Sequence, residues 1–143
     1  MKPFQSAGMK PPSGLQPWQM DGGRCWAQRQ STRSLRVKLD AAKSTTDMDV
    51  TVDYHFLNKD GQETKAGPVW TTTNGTAEVT ILSAPQVNFI TVPEHLSVCN
   101  VDTASKTVKI YTDTGSTETY EVTQLLQSGE SLMWDVQFGW RVI

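Results

Sequence analysis

From Ser34 to Ile143 the chain alternates apolar and polar residues with a period of two, interrupted by Gly, Asn, Asp and Ser clusters. That pattern confines the segment to β structure, because only a strand sends successive side chains to opposite faces. The clearest stretch runs over residues 49–56. Val50, Val52, Tyr54 and Phe56 fall on one face, and Asp49, Thr51, Asp53 and His55 on the other. Asn58-Lys59-Asp60-Gly61 then signals a hairpin, since Asp-Gly tolerates positive φ, and Gly67-Pro68 marks the return strand as an edge or a bulge.

Further strands are expected around residues 35–39, 77–82, 87–92, 96–100, 107–111, 118–126, 132–134 and 139–143. Turns fall at Asp113-Thr114-Gly115 and Ser128-Gly129-Glu130. A helical turn over residues 119–127 is disfavoured by their Thr and Val content. Roughly eight to ten strands spaced about 8 to 12 residues apart predict an all-β fold, an antiparallel β-sandwich or jelly-roll-like barrel. The 143 residues suit one domain with a modest core.

Residues 1–33 read differently. They hold four of the seven prolines and four of the ten glycines, which opposes helix and interior strand. They are expected to form an extended N-terminal arm preceding a β domain over residues 34–143. Lys2, Lys10, Arg24, Arg29 and Arg33 face the single acid Asp21, so the arm carries +4 and the remainder −6. Phe4, Met9, Leu15, Trp18, Met20, Cys25 and Trp26 give it more apolar content than a solvated linker needs. It is therefore expected to pack, on its own domain or on a neighbouring subunit. The contact residues expected for a partner are Phe4, Trp18, Arg24, Trp26, Arg29 and Arg33, because large aromatics and arginines dominate interface energetics.

Catalysis is not expected. His55 and His95 are the only histidines, His55 shares its polar strand face with Asp53, and neither sits in a nucleophile or metal motif. Asp47, Asp49 and Asp53 follow strand alternation rather than a calcium loop, so no metal or cofactor is expected. Arg24, Arg29, Arg33, Arg36 and Lys38, with Trp18 and Trp26, make a local basic and aromatic patch. The acidic domain behind it would repel phosphate, which favours a protein partner over nucleic acid. Cys25 and Cys99 lie far apart without a paired motif and are expected as free thiols. No apolar run nears the roughly 20 residues of a membrane helix, and the first residues lack the apolar core of a secretory signal.

The stretch Leu96-Ser97-Val98-Cys99-Asn100-Val101-Asp102-Thr103, the turn Ser128-Gly129-Glu130-Ser131-Leu132 and the close Gly139-Trp140-Arg141-Val142 resemble a small β module of tailed-bacteriophage virion proteins. The resemblance spans about residues 73–143 and is to head decoration modules and to some tail or fibre proteins. It implies a structural virion protein that decorates and cements the capsid exterior by bridging major capsid protein subunits, made in the host cytoplasm and assembled as a dimer or trimer. A tail component such as a fibre, adaptor or baseplate piece is the alternative. A further one is a host-surface or carbohydrate-binding module using Trp70, Tyr111 and Trp140 as an aromatic platform. Within the module, Asn100 and Asp102 are placed to accept turn amides, and Trp134 and Trp140 to anchor the last hairpin.

Overall fold

The computed structural model describes residues 33–143. The expected contacts Phe4, Trp18, Arg24, Trp26 and Arg29, and nearly all of the arm, lie outside the described residues. What is described is all-β: nine strands in two antiparallel sheets packed as a sandwich.

In chain order the strands are β1 (Ser34–Leu39), β2 (Asp49–Asn58), β3 (Glu63–Thr72), β4 (Val79–Leu82), β5 (Phe89–Cys99), β6 (Lys106–Asp113), β7 (Glu118–Leu126), β8 (Ser131–Asp135) and β9 (Gly139–Val142). One sheet has the order β4-β1-β6-β7 and the other β3-β2-β5-β8-β9. Hairpins stay within a sheet, and the other connections cross between sheets.

The inward faces follow the alternation. Leu35, Val37, Val108 and Ile110 from one sheet meet Val50, Val52, Leu96 and Val98 from the other, all at most 1% exposed. Trp134 lies in this core and pairs across the β8–β9 hairpin with Trp140, their ring centroids 6.4 Å apart. The two tryptophans close the last hairpin as their spacing implies.

Turn chemistry is equally direct. Asn58 Oδ1 accepts the amides of Asp60 and Gln62, and Gly61 takes φ +80° to close the β2–β3 hairpin. Gly67-Pro68 lies where the β2–β3 register shifts, on an edge strand. A Cβ on Gly67 would sit 3.1 Å from the Tyr54 ring, so the backbone approach there requires glycine.

One expectation is corrected. Residues 87–92 and 96–100 are not two strands; β5 is continuous from Phe89 to Cys99. Tyr54 pairs with Pro93 and Asp53 with His95, so Glu94 is the extra residue of a bulge. Strand β8 reaches only as far as His95, which leaves Pro93 on a stretch of β5 paired on one side alone. A proline is tolerated in such a position.

Candidate interaction surface

The connection after β5 fixes the rest of the module. Asn100 is 0% exposed; its Nδ2 donates to the carbonyls of Ala104 and Leu126, both at 3.0 Å, while its Oδ1 accepts the amide of Asp102 at 2.9 Å. Asp102 in turn accepts amides from Ser44, Thr45 and Thr103 at 2.7–2.8 Å. These donors, led by Ser44, hold its carboxyl well below the usual carboxylate range. The pair thus ties the β1–β2 connection to the turn after β5, as turn-amide acceptors at these positions would.

The outer face of the four-stranded sheet is charged, and the two cations that β1 places on it are paired. Arg36 pairs with Glu78 at 2.8 Å and Asp113 at 3.4 Å, and Lys38 with Glu118 at 3.3 Å. The Tyr111 and Tyr120 rings stack at 5.2 Å with the Lys38 ammonium over both. Tyr111 donates to Glu78 and Tyr120 to Glu118. Burial and the Glu78 carboxylate push the Tyr111 hydroxyl above its ordinary value, while the Tyr120 hydroxyl and the Lys38 ammonium draw Glu118 down despite its desolvation. Arg36 and Lys38, counted in sequence with the basic patch, are therefore committed to carboxylates of their own sheet. Arg33, the one expected contact residue among the described residues, donates to Thr112 Oγ1 at 2.6 Å and Thr119 Oγ1 at 3.4 Å on the same sheet.

The outer face of the five-stranded sheet carries a charged cluster at one end. His55 Nδ1 bonds Glu94, and His55 Nε2 lies 3.6 Å from Glu63, so both ring nitrogens face carboxylates. Lys65 pairs with Glu94 at 2.8 Å. That ammonium, followed by the His55 contact, holds the Glu94 carboxyl below its ordinary value, and Glu94 raises Lys65 in return. Sequence placed His55 as a solvated neighbour of Asp53; its side chain is instead 13% exposed, because the β5 bulge turns Glu94 onto this face.

Across the same face the register places Trp70, Thr51, Ser97, Met133 and Arg141 in one row. Trp70 is 76% exposed at the edge of this row. Its row neighbours Thr51, Ser97 and Met133 are uncharged, while the next row, Thr72, Asp49, Cys99 and Ser131, carries one exposed carboxylate, that of Asp49, beside Trp70. At the far edge Arg141 pairs with Asp135 at 2.7 Å and covers the Phe138 ring at 5.3 Å. Arg141, with the amides of Phe138 and Gln137, holds the Asp135 carboxyl below its ordinary value.

No family model, curated protein or solved structure matches the chain.

The candidate surface therefore stands on its geometry. The aromatic platform of Trp70, Tyr111 and Trp140 is not assembled: Trp70 projects from one sheet, Tyr111 is buried on the outer side of the other, and Trp140 packs against the core. Asp47, Asp49 and Asp53 do not converge either. Asp47 accepts Gly75 N–H at 2.9 Å and pairs with Lys43 at 3.1 Å, contacts that outweigh its desolvation and lower its carboxyl. Trp70 as the exposed edge of the row through Thr51, Ser97 and Met133 was not legible in sequence, where its period-two position gave a face but not the neighbours across four other strands.

Proposed function

We propose that the protein is a structural virion protein that attaches to the outside of a tailed-phage head and cements it by bridging major capsid protein subunits, acting as a dimer or trimer without catalytic chemistry. The observation that carries this reading is Trp70, 76% exposed beside an uncharged row on a broad sheet face. An exposed tryptophan beside uncharged row neighbours, with the single carboxylate of Asp49 next to them, suits an anchoring contact better than ordinary surface does. The basic, aromatic-bearing residues 1–33 supply a second contact, with Phe4, Trp18, Arg24 and Arg29 offered to an acidic partner. Two linked contacts on neighbouring subunits would bind more tightly than either alone.

The test is co-sedimentation of the full chain with heads that lack it. Trp70→Ala is expected to weaken binding at least about tenfold, the consequence of losing a hot-spot contact, and deletion of residues 1–33 to weaken it further. Wild-type binding by both variants would overturn the reading. Labelling of tails rather than heads would move the protein to the tail alternative. Glycan-array hits abolished by Trp70→Ala would favour a carbohydrate-binding module that uses this tryptophan alone.

A further inference from the structure

The two sheets are not equally long. Strand β4 has four residues, whereas β2, β3 and β5 have ten or eleven. Beyond β4 the inward face of the five-stranded sheet is left without an opposite sheet, and a cleft of about 370 Å³ opens there. Tyr54, Phe56, Val69, Ile81, Phe89 and Thr91 line it. The Tyr54 and Phe56 rings meet edge-on at 5.4 Å, and Phe56 and Phe89 at 6.2 Å. Those edges frame a space suited to one more aromatic ring.

The cleft wall also contains an unpartnered group. Thr91 is 1% exposed, and its Oγ1 is the buried side-chain polar atom left without a hydrogen-bond partner among the described residues. Native structures rarely leave such a group unsatisfied. An occupant that combines an aromatic ring with an N–H donor matches both properties, and an indole is that combination.

The described part of the chain begins beside this cleft. Leu35 pairs with Leu82, and Ser34 shares a shallow depression with Ser83 and Ala84, which also line the cleft. Residues 27–32 separate Arg33 from Trp26 and span up to about 20 Å when extended. We propose that this cleft is the docking site for Trp26 of the same chain, carried back across the end of β4. Docked there, Trp26 anchors the base of the arm to its own domain and leaves Phe4 and Trp18 for a partner. The assignment narrows the role proposed for the arm, but its test involves no particle, so either can fail alone.

Cys25, adjacent to Trp26, makes the docking measurable in the full chain. With Cys99→Ser as background, Ser83→Cys or Gln86→Cys places a thiol at the exposed mouth of the cleft, and Thr123→Cys places one on exposed β7 as control. Under mild oxidation the intrachain bond from Cys25 is expected to form at least tenfold faster at position 83 or 86 than at 123. Trp26→Ala should abolish that preference, and Trp26→Phe, which keeps the ring but not the N–H that meets Thr91, should fall between the two. Equal rates at the three positions, a preference unaffected by Trp26→Ala, or a cross-linked dimer in place of the intrachain bond would overturn the proposal.

Discussion

Replacing Asn100 tests whether one side chain fastens the module. In Asn100→Ala the Asp102 amide loses its acceptor at 2.9 Å, and the Leu126 and Ala104 carbonyls lose a donor at 3.0 Å each. A buried group left unpaired costs about 1–3 kcal/mol, but a carbonyl with a second lone pair in use loses less, so about 2–4 kcal/mol in total is expected. Against a typical stability of about 5–15 kcal/mol this is a large share. At an m-value of about 2 kcal/mol/M the urea midpoint, followed by tryptophan fluorescence, should fall by about 1–2 M. Asn100→Asp extends the test. Its carboxyl would face two carbonyl oxygens, which disfavours the ionised form and raises its folded pKa above the unfolded value of about 3.9. The folded state then holds the proton more tightly. The deficit of Asn100→Asp relative to wild type should therefore be smallest below about pH 4 and grow as pH rises through the raised folded value. A midpoint for Asn100→Ala within about 0.3 M of wild type, or a deficit for Asn100→Asp that does not change with pH, would refute the reasoning.

Ile110→Ala, at a fully buried position between the sheets, should lose about 2–5 kcal/mol in the same denaturation assay. Gly67→Ala combines φ +77° with a Cβ 3.1 Å from the Tyr54 ring and should cost about 1–3 kcal/mol, read as a lower melting temperature. The carboxyls of Asp47, Glu94, Asp102, Glu118 and Asp135 are all held below their ordinary values. Their contributions are complete above the unfolded values near pH 4 and are lost as pH falls through the folded ones; urea midpoints should hold from pH 7 to 5 and drop below about pH 4, with a shallower drop in Asp102→Asn. Particle binding should separate the two proposed contacts by salt: at about 1 M ionic strength, where screening acts within about 3 Å, the effect of deleting residues 1–33 should shrink and that of Trp70→Ala persist.

Much of the fold was legible because turns and alternation are local. Asn58 through Gly61, Asp113 through Gly115 and Ser128 with Gly129 need only the tolerance of Gly, Asn and Asp for positive φ, and Gly61, Gly115 and Gly129 adopt it. Strand β5 was harder. Pro93 reads as a break, and the bulge at Glu94 becomes visible only through its register with β2. Tyr111 was misleading for a related reason: alternation places it outward, yet Tyr120, Lys38 and Glu78 from three other segments bury it there. Such burial depends on strand order, which period-two spacing does not encode. The same limit hid the His55–Glu94 contact, whose partners are 39 residues apart.

The two outer faces differ in what they leave for a partner. On the four-stranded sheet Arg36 and Lys38 are already paired with Glu78, Asp113 and Glu118. A partner binding there would have to replace those carboxylates or leave them desolvated, a cost that offsets most of what a new ion pair returns. Around Trp70 the neighbouring Thr51, Ser97 and Met133 carry no charge. Covering these three desolvates hydroxyls and a thioether rather than ions, and Asp49 in the next row is the one carboxylate a partner would have to leave wet or pair. The formal charge of the chain is therefore a poor guide to which face is available to a partner. Basic residues are plentiful near the start of the domain, but those on β1 are already engaged, and the surface best prepared for a partner is the row of Trp70, Thr51, Ser97 and Met133 on the opposite sheet, with Asp49 as its one adjoining carboxylate.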